Sequence, residues 1–248
     1  MTKKILLTTI SFLTALQATR VFAGPPFLTD DPEPADYKHF EFNPFATIDS
    51  ATHDKNILGP GIEVDYGLVP NLEVNITFSQ AAHISHQEDE DTGHGFSDTE
   101  LGMTWRFLEE TDFIPQISFS PAYFVPTGDI NRGIGNGRGY YTLPFWAQKS
   151  WNTWIIDAGG GYTRNTAPDQ FNNFYGGFLI QKKIGKKWIL GGEIFEQGAI
   201  SDTEAATTLI NVGGTYNITD NLALLFSVGH SVAGESHLIS YLGLDWTV

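Results

Sequence analysis

Apolar and polar side chains alternate with a period of two along most of this sequence. Leu72, Val74, Ile76 and Phe78 interleave with Glu73, Asn75, Thr77 and Ser79, and the pattern returns at Leu101, Met103, Trp105 and Phe107, at Leu222, Leu224, Phe226 and Val228, and at Leu242, Leu244, Trp246 and Val248. That period belongs to strands, because successive side chains on an extended backbone point to opposite faces. The helical period is nearly absent. Twelve segments carry the alternation, at 37–48, 57–68, 71–83, 97–108, 113–126, 139–149, 153–164, 172–184, 187–199, 205–218, 221–232 and 237–248. Each has the roughly 9–11 residues, or slightly more, that a tilted strand needs to cross a bilayer.

The connections separate a soluble sandwich from a membrane barrel. Tight turns at 69–71, 109–112, 150–152, 185–186 and 219–220 alternate with longer polar loops at 49–56, 84–96, 127–138, 165–171, 200–204 and 233–236. An even strand number, short turns on one side and longer loops on the other predict a transmembrane antiparallel up-and-down β-barrel of about twelve strands, all-β, with both termini on the periplasmic side. Hydrocarbon offers no hydrogen-bond partner, so strands there must pair all round the ring. Trp105, Trp151, Trp154, Trp188 and Trp246, five of the six tryptophans, fall near the short-turn side, where an interfacial girdle would sit. An exported β-sandwich is the alternative, since its inward faces show the same alternation.

Charge and leader agree with an exported barrel. Lys3 and Lys4 precede an apolar run over 5–18, and Val21-Phe22-Ala23 puts small residues where a signal peptidase reads, so residues 1–23 are expected to be a signal peptide cleaved after Ala23. Cleavage removes Lys3, Lys4 and Arg20 from the 14 bases and none of the 29 acids. Such acidity excludes nucleic acid as a partner, because affinity for phosphates comes from Lys and Arg. With no cysteine, disulfides, thiolate metal sites and cysteine nucleophiles are excluded as well.

Residues 24–36 hold four prolines and four acids, which rule out a regular element. They are expected to be a periplasmic N-terminal segment, or a plug folded into the lumen that would place Asp30 and Asp31 inside; the barrel then occupies 37–248. Asp30, Asp31 and Glu33 offer oxygen to Ca²⁺ without showing a coordination geometry. In the His86 to His94 loop the block of acids reads as a solvated loop, with divalent cation binding as the alternative. The glycine-rich stretch Gly133-Ile134-Gly135-Asn136-Gly137-Arg138-Gly139 lacks the following helix a phosphate cradle requires, so it reads as a loop that either stays flexible or folds inward to constrict the pore. Gly229-His230-Ser231-Val232-Ala233 resembles an esterase elbow, but neighbours on a strand point to opposite faces, so His230 is badly placed to serve Ser231 as base.

At Gly24-Pro25-Pro26-Phe27-Leu28-Thr29-Asp30-Asp31-Pro32-Glu33-Pro34, Phe40-Glu41-Phe42, residues 95–102 and Pro126-Thr127-Gly128-Asp129 the chain resembles an outer-membrane β-barrel family named for the MetA (meta) pathway of phenol degradation. The resemblance implies uptake of aromatic or other hydrophobic compounds. Gly243, Trp246 and Val248 resemble the terminal signal by which outer-membrane strands are recognised, with Val in place of the usual final Phe.

The polar alternates are expected to line the lumen: Glu63, Asp65, Glu73, Glu100, Asp157, Glu193 and Asp245 against Arg106 and Lys183. Seven acids against two bases favour cations. Inward Gly159, Gly161, Gly177, Gly191, Gly213 and Gly243 are expected to leave room. The expected function is a passive channel or transporter for small solutes in the bacterial outer membrane. It would act as a monomer among outer-membrane lipid, delivered by the barrel assembly machinery, with no cofactor, no metal and no catalytic residue. The alternatives are a closed structural or surface-interaction barrel with acidic cation-binding loops and, further off, an outer-membrane hydrolase.

Overall fold

The computed structural model describes residues 25–51, 54–85, 93–132, 134–168, 170–202 and 204–248. The expected signal peptide and most of the acidic loop, residues 86–92, lie outside the described residues. Twelve antiparallel strands form one closed ring. They are β1 (Phe40–Ser50), β2 (Asp54–Val69), β3 (Leu72–Ser85), β4 (Gly93–Phe96 continuing as Thr99–Leu108), β5 (Gln116–Phe119 continuing as Ala122–Val125) and β6 (Tyr140–Trp151). The ring goes on through β7 (Trp154–Arg164), β8 (Asn173–Ile184), β9 (Trp188–Gln197), β10 (Thr207–Asn217), β11 (Leu222–Ala233) and β12 (Leu238–Thr247).

Each strand pairs with its neighbours in sequence, and β1 closes the ring on β12 from Glu41 opposite Thr247 to Ser50 opposite Leu238. Closure leaves no strand edge to be satisfied in lipid. The two interruptions have local causes. Pro121 has no N–H to give the ladder and splits β5, while Ser120 N still donates to Pro144 O at 3.1 Å. In β4 the break falls at Ser97 and Asp98, and Asp98 turns its carboxylate to a loop, as described below.

The outward face is apolar. Phe78, Phe107, Phe145, Phe178, Ile194, Val212 and Leu242 are all exposed to the surroundings of the barrel. Trp105, Trp151, Trp154, Trp188 and Trp246 are exposed near the short-turn rim, with Lys182 Nζ 4.7 Å from the Trp154 ring and Lys149 Nζ 5.8 Å from the Trp151 ring. This is an aromatic girdle from which Lys182 reaches to water, while Lys149 Nζ is held by Glu110 Oε1 at 2.6 Å.

Two connections differ from expectation. The polar stretch 49–56 is mostly strand, because Ser50 and Asp49 pair with Lys55 and Asn56. Backbone pairing beyond the lipid needs no apolar side chain, so polarity there does not end a strand. Conversely the turn at 109–112 extends to 115: Pro115 cannot donate, Phe113 is 94% exposed, and β5 begins only at Gln116.

Candidate functional site: the barrel lumen

Inward-facing residues build two different walls. From β1 to β4 and from β12 come carboxylates and amides: Glu41, Asn43, Glu63, Asp65, Glu73, Asn75, Glu100 and Asp245. From β6 to β11 the inward side is mixed: Ile155 and Leu179 are fully buried, Ile189 and Leu225 nearly so, and Trp146, Phe195 and Leu209 cluster with Tyr175 and Ile239, but Gln148, Asp157, Gln181, Glu193, Asn211 and Thr215 are buried among them. The lumen is thus less uniformly polar than the alternation suggested. Where a strand is locally apolar on both faces, as at Trp154-Ile155-Ile156 or Phe178-Leu179-Ile180, only the register of a polar alternate further along, Asp157 or Lys183, says which residue faces in.

Residues 25–36 run between these walls. The backbone amides of Leu28 and Thr29 both donate to the Glu193 carboxylate, the Ala35 amide donates to Glu73 Oε2 at 2.6 Å, and the Ser227 hydroxyl donates to Pro26 O at 2.6 Å. Glu33 Oε1 lies 3.6 Å from Arg106 Nη1. Pro26, Phe27, Thr29, Pro32, Pro34 and Ala35 are buried. The inward glycines do not leave empty space. A Cβ on Gly177 would overlap Thr29 Oγ1, and Gly159 is covered by Trp146, whose Cε3 would lie 2.6 Å from a Cβ there.

The lumen holds an inner chamber of about 520 Å³ and an outer one of about 730 Å³. Glu63, Asp65, Glu73, Glu100 and Asp245 line the inner chamber, as do Asp30 and Asp31. Asp157 is fully buried in the wall, accepting from Gln181 Nε2 at 3.2 Å, and Glu193 is occupied by the N-terminal amides. Arg106 is held by Asn71 and Gln116, and half-buried Lys183 feels the charges of Glu33 and Glu110. Glu41, Asn43, Trp146, Tyr175 and Phe124 complete the inner wall. The first two continue the inward alternation of β1 and were legible in it; the aromatic three were not.

The outer chamber is lined by amides and hydroxyls, among them Asn56, Thr77, Asn136, Tyr140, Asn165 and Gln197, and by the carboxylates of Asp98, Glu100 and Glu204, with no Lys or Arg among the described residues of its wall. Among the described residues no three His, Asp or Glu side chains converge as metal ligands. Ser231 Oγ accepts from the His237 backbone amide at 2.8 Å, while His230 Nδ1 meets Ser231 O rather than the hydroxyl.

Asp30, which precedes the strands, is pushed up to about 7 by burial, reinforced by the charges of Glu73, Glu100 and Asp157. Asp31 is raised too, by burial and by Asp30 beside it. The sign follows from linkage. A carboxyl raised from 3.8 to about 7 favours the seated segment fully below the lower value, and this contribution is lost as pH climbs through the upper one. Open-channel probability in a planar bilayer is therefore expected to rise from about pH 5 to about pH 8, and Asp30→Asn to flatten that rise. A pH profile identical in the two proteins would exclude this role for Asp30.

A family model described as "Putative MetA-pathway of phenol degradation" matches residues 32–242. Among solved structures, an outer membrane channel from Pseudomonas putida F1 superposes with a TM-score of 0.67 at 15% identity, over 87% of this chain and 99% of that one. The translocator domain of the autotransporter NalP from Neisseria meningitidis gives 0.58 at 9% identity, over 85% and 89%. The NanC porin gives 0.57 at 6%, over 84% and 98%. At these identities the likeness is one of fold: this is an outer-membrane β-barrel. Among curated proteins none matches.

Proposed function

The chain belongs to the MetA-pathway phenol-degradation family, and from that membership we propose that it is a passive outer-membrane channel whose solutes are small aromatic or hydrophobic compounds. The observation that supports this reading is that the two chambers are adjacent along the lumen, with Glu100 and Phe124 lining both. A solute passing from the outer to the inner chamber crosses that shared wall. Phe124, Trp146 and Tyr175 offer it aromatic surface, and the acids of the same chamber repel anions. No chemistry is required of the protein, since movement follows the gradient. Residues 25–36 act in this scheme as a plug that narrows the inner chamber.

The contacts of residues 25–36 also favour a second reading, a barrel closed by its own N-terminal segment with a structural role. Single-channel recording of the refolded protein in a planar bilayer separates the two. Discrete steps, reduced by a neutral phenol added from the outer side, are expected of the channel. Silence from a barrel shown to be folded by its heat-modifiable gel mobility would establish the closed one.

A further inference from the structure

The interruption of β4 has a definite occupant. Asp98 Oδ1 accepts from the Gly128 amide at 2.9 Å, and Oδ2 accepts from the Asn136 amide at 2.7 Å. One carboxylate therefore joins the two ends of a long outer loop. Between those ends residues 129–132 are exposed, and the chain turns inward at Ile134. Arg132 N and Ile134 N both donate to Asp129 O, at 3.0 and 3.1 Å, around the single turn Ile130–Arg132. Ile134, in a loop, is only 2% exposed, and it lies against Gly95 of β4. Arg132 Nη1 donates to His94 O at 3.3 Å. Asn136 Nδ2 reaches Asn165 Oδ1, at 2.9 Å, and so ties the loop to the neighbouring outer loop between β7 and β8.

Glycine is required at the latch itself. Gly135 has φ +82°, and a Cβ there would lie 2.5 Å from Asp98 Oδ1; a Cβ on Gly128 would lie 2.8 Å from Gly135 Cα. Asp98, Gly135 and Asn136 are also part of the outer chamber wall. The latch and the wall are thus the same atoms, which a loop merely folded over the rim would not require.

We infer that Asp98 is a positioning residue that latches the loop carrying Gly128, Ile134 and Asn136 into the outer mouth and thereby sets the size of solute that reaches the outer chamber. The carboxylate is the fitting group because it accepts two convergent amides at once; asparagine would set an NH₂ against one of them. This deepens the proposed channel function and rests on solutes arriving from the outer side, but its test reads access rather than flux.

The chain has no cysteine, so Thr163→Cys, on the outer chamber wall, is a sole thiol. Its labelling rate from the outer side is measured with a small methanethiosulfonate and with a bulky polyethylene-glycol maleimide, and the ratio of the two is compared across variants. Asp98→Ala, and independently Gly135→Val, are expected to raise the bulky rate about tenfold while the small rate changes little. Asp98→Asn, which keeps one acceptor, should fall between. An unchanged ratio in whichever of these barrels remain heat-modifiable overturns the latch. If the channel reading alone is wrong, the ratio still shifts but no phenol flux accompanies it.

Discussion

Deletion of residues 25–36 is expected to raise single-channel conductance severalfold while leaving the barrel folded. The segment fills space that the wall itself does not fill, since a twelve-stranded ring is wider than the eight-stranded kind whose own side chains can close it. Its seat is made of hydrogen bonds to charged carboxylates, from Leu28 and Thr29 to Glu193 and from Ala35 to Glu73. Bonds of that kind contribute about 1.5–3 kcal/mol each. Losing them destabilises the closed lumen but spares the ring, because β1 and β12 pair without any atom of the segment. After deletion, water replaces the lost amides at Glu193 and Glu73, which limits the cost of leaving those acids in the lumen. Gly177→Val reaches the same end without removing any charge, since its Cβ would overlap Thr29 Oγ1; its conductance should lie between those of the wild-type and deleted proteins. Unchanged conductance in a folded deletion variant would show that residues 25–36 do not limit the pore.

The ring itself was legible because lipid imposes a simple rule: apolar outward at every second residue, twelve times, with tight turns between alternate pairs. Lengths were less legible. Lys55 and Asn56 are polar yet paired, and Phe113 is apolar yet 94% exposed, because strand ends are set by backbone partners and by Pro115 rather than by hydropathy. The acidic wall could be read from alternates such as Glu63, Asp65 and Glu73. On the side opposite, Ile155 and Leu179 share the register of Asp157 and Lys183 on their strands, and Leu225 alternates with Leu224 and Phe226, so period two places them inward although nothing in their polarity marks them as lumen-facing. The seat of residues 25–36 was also beyond the sequence. Their prolines exclude regular structure, but only the positions of Glu193, Glu73 and Ser227 on three distant strands supply the two acceptors and the donor that receive them. Asp98 lay inside a segment singled out for its family resemblance, yet nothing local marks it as the partner of amides some 30 and 38 residues away.

These placements decide which acids should be neutralised to test ion selection. Glu73 and Glu193 hold the N-terminal segment, so removing their charge mixes unplugging with loss of field. Glu63 and Glu100 line the inner chamber, and Glu100 lines the outer one as well, so a permeating cation passes both. A unit charge about 4 Å away in water is worth about 1 kcal/mol, less after screening by salt, and so up to about fivefold in local cation concentration per carboxylate. The double variant Glu63→Gln, Glu100→Gln is accordingly expected to lower the cation-to-anion permeability ratio by about tenfold, read from the reversal potential in a salt gradient, with the conductance steps retained. Glu193→Gln should do the opposite: it weakens the seat of Leu28 and Thr29, so conductance rises while the acids of the inner chamber still select cations. If the reversal potential of the double variant matches that of the wild type, the acids of β2 and β4 do not set selectivity, and the field must come from Asp30, Asp31 and the other acids of the inner wall.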